Sequence, residues 1–314
     1  MGKSLNTRLI NDFVDSKYIG QDRIPARICH YTSPQTVPLV LREDSIVFRF
    51  TRWDCVNDIS EGRMAIECYE YVCRELFAEE KLSADYHDAL VQITNDVYMR
   101  ALPLGNPQLA SIPERALDSS EKYICCFSMD PDSLPMWNYY IKDRKCEGYC
   151  IEITPQNTRI AYKNGLSHEI YFASVLYGIE RINGLLSRFI LKYANSYLRG
   201  TDAQKSDILF CIRNYLDSIK LLAKMDCFTH EREIRAILPL QPTDKGKFPI
   251  SFSWANGFSA PYIDMSFDKD IFCRIGIGPL MDHSVALQTT KEFLESTRYP
   301  SKLRVFASRI PIRF

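Results

Sequence analysis

The sequence has no surplus charge of either sign. Its 314 residues carry 39 Lys and Arg against 39 Asp and Glu, and its isoelectric point is near 6.9. That excludes a broad basic surface built to coat nucleic acid, although a local basic groove is compatible with it. Arg49, Arg52 and Arg63 are candidates to line such a groove. No apolar run reaches membrane-spanning length, so no membrane partner is expected. The N-terminal stretch MGKSLNTRLINDF holds no apolar core of signal-peptide length. The 11 Cys are scattered and form no C-x-x-C pair, and the five His do not cluster with them, so no metal site is expected. Thiols set among apolar neighbours read as buried and reduced, which implies a cytoplasmic protein. There is no internal repeat and no low-complexity segment. The P-loop, G-x-G-x-x-G, G-x-S-x-G and H-E-x-x-H patterns are also missing, which leaves kinase, acyl-hydrolase and zinc-protease readings without support.

What is present is ordinary globular material, 46% hydrophobic and 25% charged, with aromatics abundant at 12%. Residues 1–27 read as a polar lead-in and 28–314 as a single elaborated domain. Alternating or apolar runs predict strands at RICHYTS (27–33), SIVFRFT (45–51), KYICCFSM (122–129), GYCIEIT (148–154) and EIYFASVLYG (169–178). Further strands are expected at CFTHEREIRAIL (227–238), YIDMSF (262–267), FCRIGIG (272–278) and KLRVFAS (302–308). Helical periodicity covers two insertions, about 62–100 and 179–225, the second broken near Gly200. Ser83 is a candidate N-cap inside the first, and shorter helices are expected after Pro135 and near 285–296. Strands and helices do not alternate regularly, so a doubly wound parallel sheet is excluded in favour of an α+β fold with a mixed, mostly antiparallel sheet.

Four short constellations carry polar chemistry. His30 and Thr32 share a strand face in CHYTS, with Tyr31 on the other. Asn57, Asp58 and Glu61 occupy the loop VNDISEG, where a turn and a helix N-terminus explain them as well as a pocket rim does. Ser128 ends a strand, and Trp137 and Tyr140 follow three residues apart on a helical turn, able to stack on a flat ring or to fill the core. The fourth is the most demanding. Glu231, Glu233 and Arg235 alternate on an otherwise apolar strand, with Lys224 shortly before them. An exposed row of this kind is a weak surface network of about 0–1 kcal/mol per pair. A buried row costs desolvation and needs a reason. Glycosidic chemistry gives one: a carboxylate stabilises a nascent oxocarbenium sugar, a second orients or deprotonates the nucleophile, and Arg235 can grip a carboxylate or phosphate.

In this order the pieces resemble a bacterial family catalogued as domain of unknown function 2971. The match runs through His30-Tyr31-Thr32, then Asn57, Asp58 and Glu61, then Cys126-Phe127-Ser128 with Met136-Trp137, Tyr140 and Gly148. It continues through Lys224, Phe228, Glu231, Glu233 and Arg235 to Ile277-Gly278-Pro279 and Ser308 with Arg313. Phe228 departs from the Trp more often found there. A looser layout, an early His strand, a strand ending in Ser and a late E-x-E strand, is similar to ADP-ribosyltransferases. That resemblance implies a split, mostly antiparallel sheet and NAD as substrate. It implies that His30 holds the NAD ribose, with Thr32 beside it, and that Ser128 supports the catalytic carboxylate. Tyr31, Trp137 or Tyr140 would stack on nicotinamide. Glu233, or else Glu231, would contact the ribose. The implied acceptor is a protein or a nucleic acid, in a toxin or anti-phage effector with room for an antitoxin or chaperone partner. An NAD glycohydrolase, or a non-catalytic nucleotide-sensing or interaction module, is the alternative.

Overall fold

The computed structural model describes residues 5–16, 24–56, 62–95, 97, 105, 121–141, 146–155, 159–161, 167–240, 244, 246–255, 258–299 and 304–312. Asn57, Asp58, Glu61 and Arg313 lie outside them.

The chain opens with helix α1 (Leu5–Ser16), strand β1 (Ile28–Thr32), the short helix α2 (Val37–Val40) and strand β2 (Ile46–Arg52). Helices α3 (Arg63–Ala78) and α4 (Ala84–Val91) follow, then β3 (Glu121–Ser128), α5 (Leu134–Tyr139) and β4 (Tyr149–Ile153). A small hairpin, β5 (Arg159–Ala161) and β6 (Ser167–Glu169), leads to β7 (Tyr171–Ser174) and β8 (Leu176–Tyr177). The long helices α6 (Ile179–Arg199) and α7 (Asp202–Lys220) precede β9 (Ala223–Lys224), β10 (Glu233–Leu240), β11 (Ser251–Ala255), β12 (Phe258–Phe267) and β13 (Phe272–Ile277). Helix α8 (His283–Ser296) and β14 (Val305–Ala307) close the order. The architecture is mixed α+β.

One ten-stranded sheet dominates, and among the described residues its β13–β14 pair alone is parallel. Strand β3 is its branch point. On one edge β3 pairs with β10 along its whole length, from Glu233 opposite Ser128 to Leu240 opposite Glu121. On the other edge it meets two strands in turn. Thr51 and Arg52 of β2 lie opposite Ile124 and Tyr123, and Cys29 of β1 lies opposite Ser128. Between those contacts β1 and β2 diverge. One wing continues as β1–β4–β13–β14 and the other as β2–β12–β11, while β7 lies beyond β10.

Opposed residues of an antiparallel pair share a face, and neighbours along a strand alternate. Ile124, Ala173 and Ile237 therefore point to one side. There they pack against the helical layer, with Leu9, Leu76, Leu186, Ile190, Ile208 and Leu216. Phe48, Phe127, Ile234, Ala236, Leu238 and Met265 point to the other side and build a second core with Leu294 of α8. A third, smaller core lies under α5, where Cys29, Tyr31 and Cys150 meet Trp137.

The polar lead-in is not structureless. Residues 5–16 form an amphipathic helix whose Leu9 is fully buried, and Asp12 accepts hydrogen bonds from Lys192 and Tyr193 of α6. The helix break near Gly200 is real, and Thr201 opens α7 with a reciprocal capping box to Gln204. Ser83 caps α4 through the Tyr86 amide. The stretch 169–178 is two strands rather than one. At Val175 the chain leaves β10, and β8 then runs parallel to β9.

Candidate functional site

Lys224, Glu231, Glu233 and Arg235 converge where β10 begins, between the sheet and the C-terminal end of α7. Their exposures are 6%, 3%, 4% and 1%, so the row is buried rather than a solvated surface network. Glu233 and Arg235 sit two apart on β10, on the helix-facing side. Arg235 donates through Nε to Glu233 Oε1 at 2.8 Å and through Nη2 to Glu233 Oε2 at 3.3 Å. Its Nη1 reaches across the layers to the Leu221 carbonyl at 2.7 Å, at the C-cap of α7, where a cation meets the negative end of a helix dipole. Lys224 Nζ bridges the two carboxylates, 2.5 Å from Glu231 Oε2 and 2.9 Å from Glu233 Oε2.

Glu231 does not lie on the strand. It ends a 3-10 turn over Asp226–Glu231, and Arg232 follows in the left-handed region at φ 45° before β10 starts. That reversal, not strand periodicity, brings Glu231 to the same side as Glu233. The turn is tied to the end of β3: Ser128 Oγ donates to the Glu231 carbonyl at 2.7 Å, and the Met129 amide to the Arg232 carbonyl at 3.0 Å. Ser128 thus supports the carboxylate through its backbone. The Tyr140 hydroxyl donates to Glu231 Oε1. The Glu233 amide donates to the Tyr177 hydroxyl at 2.8 Å.

The two carboxyls are driven apart electrostatically. Burial raises the proton affinity of Glu233, but Arg235 and then Lys224 outweigh it and hold the group well below the ordinary carboxylate range. Burial also raises Glu231, and there Lys224 and Tyr140 do not overcome it, while the neighbouring Glu233 charge adds to it. Glu233 is a locked anion and Glu231 the more readily protonated partner. Such divergence between neighbouring carboxyls separates acid–base roles in enzymes, although structural ion clusters produce it too.

His30 stands apart from this cluster. Cys29, Ser128 and Glu233 share one face, so His30, next along β1, turns to the other. Its ring packs against Phe48 at 5.4 Å and Phe127 at 5.6 Å, in the fork between β1 and β2. Its Nδ1–H donates to the Cys126 carbonyl at 3.0 Å. No hydrogen bond joins His30 to either carboxylate among the described residues. Cys126 is their shared neighbour, since its thiol also bonds Glu233.

Tyr31 and Trp137 are core residues. They pack edge to face at 4.7 Å, and their polar ends are engaged. Tyr31 donates to the Asp130 carbonyl and accepts from the Ser133 amide, while Trp137 Nε1 donates to Asp132 Oδ1 at 2.8 Å. Thr32 is buried too, on the opposite face of β1 from Tyr31. Of the aromatic candidates, Tyr140 alone touches the carboxylates. Asp132 also holds Ser308 Oγ at 2.6 Å and the Arg309 amide at 2.8 Å, tying the C-terminal segment to α5.

Tyr177, Cys126 and the Leu221 carbonyl escape a sequence reading, because their roles follow from strand register and helix ends. Asp132 had a local signal, an Asp-Pro-Asp-Ser turn motif just after β3. The candidate basic groove is not assembled as free charge. Arg49 pairs with Asp264, Arg52 with Asp54 and Arg63 with Glu67. Comparison with protein-family models, curated proteins and solved structures finds no match to this chain.

Proposed function

We propose that the protein is an NAD-consuming enzyme of ADP-ribosyltransferase type, with Glu231 and Glu233 as its working pair. The observation that supports this most is the divergence of two adjacent buried carboxyls at the start of β10, bonded to the serine that ends β3. The fork of β1 and β2 along β3 is the kind of split expected of such a sheet. In this reading the C1′–N bond of NAD breaks heterolytically and nicotinamide leaves as a neutral molecule with the electron pair. The fixed charge of Glu233 shields the oxocarbenium sugar. The acceptor then bonds to C1′, and its proton passes to Glu231. This assigns the proton-transfer role to Glu231, because both oxygens of Glu233 are held by cations. His30 lies on the opposite face of the sheet from Glu233, packed between Phe48 and Phe127, and takes no part in this step. The acceptor is a protein or nucleic acid group, in keeping with a toxin or anti-phage effector.

One observation favours a second reading. The four charges neutralise one another, and Arg235 anchors α7, so the cluster also serves as a tie between layers without chemistry. Incubation of the purified protein with labelled NAD and cell lysate separates the two. Label on protein or RNA identifies a transferase, and free ADP-ribose a glycohydrolase. Unchanged NAD with saturable binding identifies a sensing module, and neither turnover nor binding leaves the tie. Glu231→Gln is expected to lower turnover at least about 100-fold while circular dichroism stays that of the wild type. Full turnover in both Glu231→Gln and Glu233→Gln would remove the pair from the chemistry.

A further inference from the structure

Strand β11 is a free edge of the large sheet, pairing with β12 alone among the described residues. Phe252 and Trp254 lie two apart on it and stand 62% and 84% exposed. Their strand partners in β12 are Pro261 and Ser259. Pro261 shares its face with Ile263 and Met265, so the two exposed rings continue the apolar face of the second core toward the sheet edge. Ile250, just before the strand, is also exposed. An uncovered edge with aromatic side chains is normally blunted by charge, a bulge or a covering loop. From Pro249 to Ala255 this edge carries no charged residue.

We propose that β11 pairs with β11 of a second copy of this chain, antiparallel about a two-fold axis at Ser253. That register sets Ser253 against itself and Phe252 against Trp254 of the other copy, so four rings gather on one face. Charge favours a second copy over a polyanion. Among the described residues the nearby cations are already engaged, Arg49 by Asp264 and the Tyr262 ring, and Lys247 by Asp244. A neutral strand also pairs with itself without like-charge repulsion. The two rings offer about 300 Å² per copy. Doubled and joined by paired backbone, this falls at the low end of specific interfaces, below what an obligate dimer buries. A weak, reversible dimer follows, isologous and closed.

Sedimentation velocity of the full chain over about 1–300 μM tests this. The expected result is a concentration-dependent monomer–dimer equilibrium with a midpoint in the micromolar range. Phe252→Lys with Trp254→Lys should abolish it, because like charges would meet across the axis, while the melting temperature stays unchanged. Trp254 fluorescence should shift to the blue with rising concentration. A monomer at every concentration overturns the proposal, and so does a dimer that survives the double substitution. Neither outcome depends on NAD turnover, so the proposed chemistry and the dimer stand or fall separately.

Discussion

His30 shows how one side chain can be forced by its neighbours. At the fork of β1 and β2 the Cys126 carbonyl accepts its hydrogen bond from the imidazole, and a buried carbonyl deprived of a donor costs about 1–3 kcal/mol. The imidazole fills both the hydrogen bond and the gap between Phe48 and Phe127. Burial holds His30 below its ordinary value of 6.5, with the Cys126 carbonyl opposing. The unfolded chain therefore takes up a proton that the folded chain refuses, and stability falls as pH drops from 6.5 toward the folded value. Glu233 contributes in a different window. Its stabilisation is complete above its ordinary value of 4.5, declines as pH falls below that value, and is gone once pH has passed through its depressed folded value. Glu231 has the opposite sign, since its raised affinity makes protonation stabilising as pH falls toward and through 4.5. Thermal melts at about pH 7.5 and 5.5 should show lower stability in acid. His30→Phe should flatten that slope while lowering stability at pH 7.5 by about 1–3 kcal/mol. An unchanged slope in the variant would assign the acid sensitivity elsewhere.

Helix α1 carries the clearest prediction at the scale of an element. Leu9 is fully buried, its carbonyl accepts the Cys211 thiol, and Asp12 ties the helix to α6. Leu9→Ala should cost about 2–5 kcal/mol, measured as a fall in the urea midpoint at constant slope. A loss under about 0.5 kcal/mol would mean that α1 merely lies against the helical layer. This helix is hard to see in the sequence because only its inner face is apolar and it lies in a polar stretch. The sequence does reveal elements with a strong period or a local cap, such as β1, β2 and β3, the two long helices with their break near Gly200, and the Ser83 cap. It hides elements whose limits depend on partners. β8 exists because Leu222 and Lys224 offer a parallel mate, and nothing in EIYFASVLYG marks the switch at Val175. β11 had a usable signal in the Asn256-Gly257 pair between two alternating runs. The site divides in the same way. The types and spacing of Glu231, Glu233 and Arg235 were legible, as was the proximity of Lys224. The left-handed Arg232 and the turn of His30 to the opposite face follow from register and from the fork.

Across the whole molecule, the ion cluster joins the two layers. Arg235 rises from the sheet, holds Glu233 beside it and caps the end of α7, while Lys224 ties the following strand to both carboxylates. Arg235→Met removes the cation but leaves the Glu233 carboxylate in a dry site. The expected loss is about 3–5 kcal/mol, seen in urea unfolding, with faster hydrogen exchange at the C-terminal turn of α7. Replacing both partners should be far milder. In Glu233→Met with Arg235→Met no uncompensated charge is buried, and Lys224 keeps Glu231. The Leu221 carbonyl loses one donor, so stability should return to within about 2 kcal/mol of the wild type. That double variant distinguishes the reasons for keeping such a cluster. A tie between layers can be rebuilt from apolar contacts, and a protein that needed only the tie would keep whatever NAD turnover or binding the wild type has. Glycosidic chemistry cannot be rebuilt in that way, because a thioether offers no charge to an oxocarbenium sugar. A well-folded double variant without NAD turnover would assign the buried charge to catalysis, and a well-folded, fully active one would leave it as architecture.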